Sequence, residues 1–255
     1  MDKNKITILK EAFDIDLSEE KIELFIKYEK TFLEKNSKVN LISKNDEKFL
    51  FEKHVFDSLA IHKFLGKWMR TQENAESLNP LTLALSHGGR GERSENSSTV
   101  QPFNSSPVRL LDIGTGGGFP SVPIAIFYDN INVFAIDSIR KKISVIEEMK
   151  ADLELKNLFP VCGRVENLQF GNNPKAYDYI TTRAVAPMDK ILKYAMPNLK
   201  RGGYFIAYKS KKALEELKEA EKTLKLLGAK IEDIIEYTLP MEEVFERNLV
   251  IVKKR

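Results

Sequence analysis

The sequence of 255 residues has little cysteine and histidine and no long apolar run. Its single cysteine, Cys162, excludes an internal disulfide and any cysteine-rich zinc site. Three histidines offer no convincing set of ligands, so we expect no metal. No apolar run approaches the roughly 18 residues that a membrane span needs, and the first residues lack the apolar core of a secretory signal. These absences predict a cytoplasmic protein without membrane contact, which we expect to be a monomer.

The charge of the sequence is almost balanced, with 40 basic and 37 acidic residues and a net charge of +3. This excess permits a nucleic acid partner but is too small to argue for one. Lysine is missing between Thr71 and Pro107, where two arginines face four glutamates, so this stretch carries −2 and the rest of the chain +5. The change of composition predicts that 71–107 is an atypical, disordered insertion. A functional loop, such as a lid that contacts RNA, is the alternative.

The patterns on the two sides of this insertion differ. Residues 1–70 have a helical pattern, in which Ser18 is placed to cap one helix and a second, continuous helix runs from Asp46 past Leu65. In residues 108–255, short apolar strands alternate with helices. Such alternation predicts an α/β fold with a mostly parallel sheet and helices on both faces. We expect a helical N-terminal extension that forms one compact unit with this domain, and a ligand beyond the carboxyl ends of the strands.

The most informative segment is a glycine-rich turn between the first predicted strand and the next helix. The glycines let the backbone turn tightly and approach a ligand. Their spacing is G-x-G-x-G, and the full dinucleotide fingerprint is absent because the sixth position from Gly114 is Phe119. Asp112 would repel a pyrophosphate, whereas it suits the sulfonium and ammonium of S-adenosylmethionine. The turn therefore predicts an S-adenosyl-L-methionine site that includes Asp112, Gly114, Gly116 and Gly118.

The next predicted strand supplies a further candidate. Asp137 ends that strand, 23 residues after Gly114, which suits a carboxylate that accepts the ribose hydroxyls of a cofactor. This spacing does not discriminate between cofactors, because NAD sites use the same arrangement.

Several motifs in the same order along the chain resemble those of a known family. They are N-S-K-V-N-L-I from Asn36, H-V-F-D-S from His54, D-I-G-T-G-G-G-F-P from Asp112, G-R-V-E from Gly163, T-R-A-V-A from Thr182 and Y-K-S from Tyr208. Together they resemble the small-subunit ribosomal RNA guanine-N7 methyltransferase family, also called glucose-inhibited division protein B. The resemblance covers Leu17 to Lys253 except for the insertion, where the family has a much shorter connection. Gly117 and Ser121 are milder departures from the family pattern.

This resemblance implies a class I S-adenosylmethionine-dependent methyltransferase with a Rossmann-like, seven-stranded sheet. It implies methylation of N7 of a guanine in the 530 loop of 16S rRNA, with this RNA or the small ribosomal subunit as partner. By the same analogy, Gly114 and Phe119 line the cofactor site, Val165 and Glu166 lie beside the adenine, and Arg183 faces the cofactor and the target.

The chemistry of this reaction needs positioning more than acid–base catalysis. Guanine N7 carries a lone pair and no proton, so no general base is required for its attack on a methyl group. Arg183, at the end of a predicted strand, can bind guanine O6, a phosphate or the cofactor carboxylate, with a surface ion pair as the alternative. His54 and Asp57 share a helix face and can contact RNA or brace the sheet edge. Lys209 can bind a phosphate or lie in solvent.

Three other functions stay open from the sequence. They are a methyltransferase with another substrate, an NAD-dependent oxidoreductase, and an RNA-binding chain that the insertion has made inactive. Cofactor binding distinguishes an NAD-dependent oxidoreductase from the other two. A test of methyl transfer distinguishes an inactive RNA-binding chain from a methyltransferase.

Overall fold

The structure, a computed structural model, describes residues 3–66, 107–167, 177–241 and 244–255. The predicted insertion at 71–107 therefore lies outside the described residues except for Pro107. Its disorder and the proposed boundaries at 70 and 108 stay predictions.

The N-terminal region begins with two helices, α1 (Lys3–Phe13) and α2 (Glu19–Asn36). Ser18 caps α2 as predicted, because its Oγ accepts a hydrogen bond from the Lys21 amide at 3.3 Å. The buried residues of α2 are Phe25, Tyr28, Phe32 and Asn36. Ile26, the residue after Phe25, is apolar as well but is 44% exposed. The helix turns by about 100° per residue, which places Ile26 beside the buried stripe.

The predicted continuous helix from Asp46 is instead a series of short segments. They are α3 (Lys44–Glu47), a π-helix (Leu50–Val55) and α4 (Phe56–Leu59). The Phe56 amide donates to the Phe51 carbonyl, the wider spacing that defines a π turn. All four residues of α4 are buried. This helix therefore places two polar side chains, those of Asp57 and Ser58, in the interior.

A seven-stranded sheet forms the centre of the molecule. Its strands are β1 (Val108–Ile113), β2 (Ile131–Asp137), β3 (Leu158–Cys162), β4 (Tyr177–Arg183), β5 (Leu199–Ser210), β6 (Ala229–Leu239) and β7 (Phe245–Lys254). Their order is β3-β2-β1-β4-β5-β7-β6, with β7 antiparallel to both of its neighbours and the other pairs parallel. The predicted fold class, a Rossmann-like and mostly parallel seven-stranded sheet, is confirmed. The chain changes direction across the sheet at β1, which pairs with both β2 and β4.

Helices cover both faces of this sheet, as the alternation predicted. They are α5 (Ser121–Phe127), α6 (Arg140–Asp152), α7 (Met188–Asn198) and α8 (Ala213–Leu226), with a short 3₁₀ turn at Val165–Asn167. One apolar cluster joins the sheet to α1, α2, α5 and α6, and a second joins it to α7 and α8. Successive residues of β1 alternate between the clusters, since Leu110 belongs to the first and Leu111 to the second. Within the described ranges, each helix is too short or too polar to cross a membrane.

Candidate functional site

A cavity of about 630 Å³ lies at the carboxyl ends of β1, β2 and β4. Open α/β sheets bind ligands at this edge, beside the point where the strand order reverses. Its volume is within the range of small-molecule sites. Eight of the residues predicted for the site line the cavity: His54, Gly114, Gly116, Phe119, Asp137, Val165, Glu166 and Arg183.

The glycine turn forms the floor of this cavity. The amides of Gly114 and Thr115 both donate to the Ile136 carbonyl, at 2.9 and 3.0 Å, which ties the turn to β2. Gly116 has φ +57°, and a Cβ added there would meet nothing closer than 3.9 Å. A Cβ at Gly114, by contrast, would collide with the Val185 side chain. The backbone at Gly116 thus faces open space that a ligand can fill.

Asp137 connects the glycine turn to the loop after β2. Its Oδ2 accepts from the Gly116 amide at 2.9 Å, and its Oδ1 accepts from the Ile139 amide at 2.9 Å. These bonds fix the carboxylate at the cavity wall, and each oxygen keeps a lone pair for a ligand hydroxyl. Glu166, on the turn after β3, is exposed at the cavity edge, and the neighbouring Val165 is buried.

The opposite wall consists of Phe119, His54 and Arg183. The His54 ring stacks on Phe119, with centroids 4.8 Å apart, and the Arg183 guanidinium lies 5.1 Å from the centroid of Phe119. Arg183 Nη2 lies 2.9 Å from His54 Nδ1. The π-helix and α4 bring His54 and Asp57 to the same guanidinium, so the predicted shared face of these two residues is confirmed.

The protonation of His54 follows from these contacts. An arginine can only donate, so His54 Nδ1 accepts and the ring proton is on Nε2. Burial and the Arg183 charge lower the pKa of His54 from 6.5 to about 4. His54 is therefore neutral near pH 7, and its Nε2–H finds no acceptor within the described residues.

Asp57 lies behind this wall, with its side chain fully buried. Its Oδ2 accepts from Arg183 Nη1 at 3.0 Å and from Arg247 Nη2 at 2.9 Å. Its Oδ1 accepts from Tyr237 Oη at 2.6 Å and from Arg247 Nε at 3.2 Å. Burial would raise the pKa of the Asp57 carboxyl, but the charges of Arg183 and Arg247 outweigh it and hold the pKa below 3.8. Arg183 thus belongs to a buried ion-pair cluster, and the surface ion pair considered from the sequence is excluded.

Three predicted site residues are not among those that line the cavity: Asp112, Gly118 and Lys209. Asp112 is fully buried under the glycine turn, where its Oδ1 accepts from Thr181 Oγ1 at 3.1 Å. A Cβ at Gly118 would meet Val122 at 2.7 Å, so this glycine serves close packing with α5.

Lys209 also points elsewhere. Its Nζ donates to the Ala186 carbonyl at 3.0 Å and pairs with Glu216 at 2.7 Å. The structure therefore places it neither in solvent nor in the cavity. It braces the loop that follows Arg183 against α8.

Sequence reasoning missed part of the cavity wall. Leu41 and Ile42 line it, and their amides donate to the buried Asn36 Oδ1 at 2.8 and 2.9 Å. The signal was available in the Asn36–Ile42 motif, whose asparagine satisfies the loop backbone. Lys142 and Tyr194 also line the cavity, but no motif singled them out. The described ranges contain no cluster of three or more potential metal ligands.

Comparisons with known proteins identify the family of this chain. A family model described as rRNA small subunit methyltransferase G matches residues 95–248. Proteins named Ribosomal RNA small subunit methyltransferase G are similar over nearly the whole chain. That of Alkaliphilus oremlandii is 32% identical over 250 residues, which cover 96% of this chain and 89% of the relative. Those of Staphylococcus saprophyticus and Desulfitobacterium hafniense are each 33% identical, over 94% and 97% of this chain and 85% and 87% of the relatives. The chain belongs to the rRNA small subunit methyltransferase G family.

Proposed function

We propose that this protein transfers the methyl group of S-adenosyl-L-methionine to N7 of a guanine in the 530 loop of 16S rRNA. Family membership is the observation that carries the proposal, since it makes the chain an S-adenosyl-L-methionine-dependent methyltransferase with rRNA as the substrate class. The choice of the 530 loop rests on the resemblance of the motifs, and the choice of N7 rests on that resemblance and on the chemistry of the cavity.

The residues of the cavity fit the cofactor. The open space above Gly116 accepts a group that approaches the backbone closely. Asp137, Val165 and Glu166 all line the cavity. In this proposal Asp137 accepts hydrogen bonds from the ribose hydroxyls, and Val165 and Glu166 lie beside the adenine, whose amino group donates to the Glu166 carboxylate. The cofactor supplies an electrophilic methyl group on a positively charged sulfur.

The remaining wall suits a nucleophile that needs no deprotonation. When guanine N7 attacks the methyl carbon, the carbon–sulfur bond breaks and its electron pair stays on sulfur, so no proton moves. The acid–base groups at this wall are already engaged: Asp57 accepts four hydrogen bonds, and His54 Nδ1 faces Arg183. This wall can therefore orient a guanine of the RNA, but it has little capacity to accept a proton from it.

Arg183 is the residue that we expect to contact the guanine or the cofactor directly. A guanidinium has five N–H donors. Three hydrogen bonds from Arg183 reach Asp57, His54 and the Lys53 carbonyl. Two N–H groups stay without an acceptor in the described parts of the chain, and they can bind guanine O6 or the cofactor carboxylate. His54 holds Arg183 in place from the cavity side, and Lys209 acts indirectly through the loop at Ala186.

The direct test is transfer of labelled methyl from the cofactor to small ribosomal subunits that lack the modification. Chain cleavage at N7-methylguanine then maps the product. We expect one labelled guanine, in the 530 loop. Label at another position would contradict the proposal. Absence of transfer with the cofactor bound would do so as well, unless a variant lacking 71–107 restores it and shows that this segment blocks the RNA.

A substitution at the glycine turn tests the cofactor site separately. Gly116→Arg should weaken cofactor binding at least about 100-fold, about 3 kcal/mol, because the side chain fills the open space above the turn. Titration calorimetry measures the change. The matched control is Gly202→Arg, at another glycine with positive φ and free space, near the opposite end of the sheet. Unchanged affinity in Gly116→Arg would refute this placement of the cofactor.

A further inference from the structure

The Asp57 carboxylate is the junction of three distant parts of the chain. Arg183 ends β4, Tyr237 lies near the end of β6, and Arg247 lies near the start of β7. Their donors meet on one carboxylate whose side chain is 0% exposed. Solvent and substrate therefore have no access to Asp57, and whatever it does for the reaction passes through these partners.

The hydrogen bonds to Asp57 use its full capacity. A carboxylate offers about four lone-pair positions. Arg183 and Arg247 occupy Oδ2, and Tyr237 and Arg247 occupy Oδ1. With every position used, Asp57 cannot also accept a proton or bind a ligand.

Arg183, by contrast, is held on one side and open on the other. Asp57 and the Lys53 carbonyl hold Nη1, His54 faces Nη2, and the guanidinium lies over Phe119. Its side chain is still 14% exposed, and it lines the cavity. Of its described side-chain partners, Asp57 is the one with an opposite charge, so it sets the direction in which the remaining N–H groups point.

We infer that Asp57 is the positioning residue of the site, which sets the orientation of Arg183 toward the cavity, and that Tyr237 and Arg247 of the β6–β7 hairpin hold Asp57 for this task. The inference rests on the proposed function in so far as Arg183 serves the methyl transfer. It extends the site from the glycine turn to the far edge of the sheet.

A set of single and double variants of the full chain tests this inference. Asp57→Asn should lower kcat/KM or cofactor affinity about 100-fold, as expected when a reacting geometry shifts by about 1 Å. Arg183→Met should have an effect of the same size. In the double variant, Asp57→Asn should add less than about 3-fold to the loss of Arg183→Met, because the residue through which it acts is already gone. Losses that multiply in the double variant would overturn the inference.

Thermal unfolding of the same proteins separates positioning from stability. Asp57→Asn should lower the melting temperature both in the parent and in Arg183→Met. In either protein one of the two oxygens that accept from Tyr237 and Arg247 becomes an NH2 donor, and the negative charge that faces Arg247 is lost. A functional loss that followed the melting temperature in both backgrounds would assign Asp57 a purely structural role.

The matched control is Asp178→Asn, at the start of the strand that Arg183 ends. Asp178 accepts from Lys200 Nζ at 2.7 Å and from the Arg109 amide at 2.9 Å, far from the cavity. The Asp178→Asn variant should change cofactor affinity and methyl transfer by less than about 2-fold, whether residue 183 is arginine or has been replaced by methionine.

The crystal structure of Asp57→Asn decides the inference even if the proposed substrate is wrong. We expect the Arg183 guanidinium to leave its place over Phe119. An unmoved guanidinium would overturn the inference, whereas failure of the parent protein to methylate small subunits would overturn only the proposed function. Should Asp57→Asn not fold, Tyr237→Phe takes its place. It should lower kcat/KM or cofactor affinity about 5-fold when residue 183 is arginine. That loss should be absent with Arg183→Met, and its persistence there would refute the inference.

Discussion

Asp57 and Asp112 lie at the same edge of the sheet and are equally buried, yet their surroundings are opposite. Asp57 receives four hydrogen bonds, three of them from guanidinium groups, and its pKa is lowered. Asp112 receives one from Thr181, while the Thr115 hydroxyl bonds to Ser121. Burial raises the pKa of Asp112 to about 6, although the Thr115 and Thr181 hydroxyls and the Arg183 charge lower it in part.

The difference shows that burial alone does not set the charge of a carboxyl group. The first group is a fixed anion that organises cations, and the second is close to losing its charge at neutral pH. Only the first can hold an arginine in one orientation.

The largest effect is expected for Asp57→Ala. Removal of the carboxylate leaves two buried guanidinium groups without their counter-charge, which should destabilise the fold by about 3–5 kcal/mol. Urea unfolding at pH 7.5 measures the change. As a control, Asp178→Ala breaks an ion pair whose aspartate is one third exposed, and the protein should lose only about 1 kcal/mol. Equal losses for the two variants would mean that the two guanidinium groups relax into solvent.

Asp112→Asn should raise the free energy of unfolding, whereas Asp57→Ala lowers it. The folded-state pKa of about 6 lies above the ordinary 3.8, so above pH 6 the folded protein carries a buried charge that destabilises it. Replacement by the neutral amide should stabilise the protein by about 3 kcal/mol at pH 7.5. As pH falls from 6 toward 4, the folded parent takes up a proton before the unfolded chain does, so the difference should shrink. Urea unfolding of the parent and of Asp112→Asn at pH 7.5 and at pH 4 checks this prediction. A difference in the free energy of unfolding that was the same at both pH values would contradict the raised pKa.

The smallest effect is expected for Tyr237→Phe. It removes one hydrogen bond to the Asp57 carboxylate and should cost about 1.5 kcal/mol. The matched variant is Tyr208→Phe, which removes an equally buried bond to a neutral acceptor, the Ser58 carbonyl at 2.8 Å. It should lose about 1 kcal/mol. If Tyr208→Phe lost more, the charge on Asp57 would contribute little to its bond with Tyr237.

Local signals in the sequence predicted much of the fold. The cap at Ser18, the alternation of strands and helices and the glycine turn each depend on residues that are close in sequence. Arg183 was predicted correctly at the end of a strand, because the apolar strand pattern stops there. The break of the long helix was missed, since apolar residues such as Leu50, Phe56 and Leu59 continue at helical spacing across it.

The surroundings of the two aspartates could not be predicted in the same way. The partners of Asp57 are 126, 180 and 190 positions away, and only the folded sheet brings them together. Asp112 was expected at the ligand because it precedes the glycines. The alternation along β1 puts it on the same face as the buried Leu110, a period-two signal that the motif obscured.

The long separations around Asp57 also order the steps by which the protein forms. On a ribosome, residue 57 is made well before Tyr237 and Arg247, so Asp57 spends most of synthesis without three of its four hydrogen bonds. The nascent chain can form the glycine turn and β1 to β4 early, but its charge cluster closes only after β7 is made and paired. The complete cluster that holds Arg183 through Asp57 therefore requires β7, the last strand of the sheet in the chain.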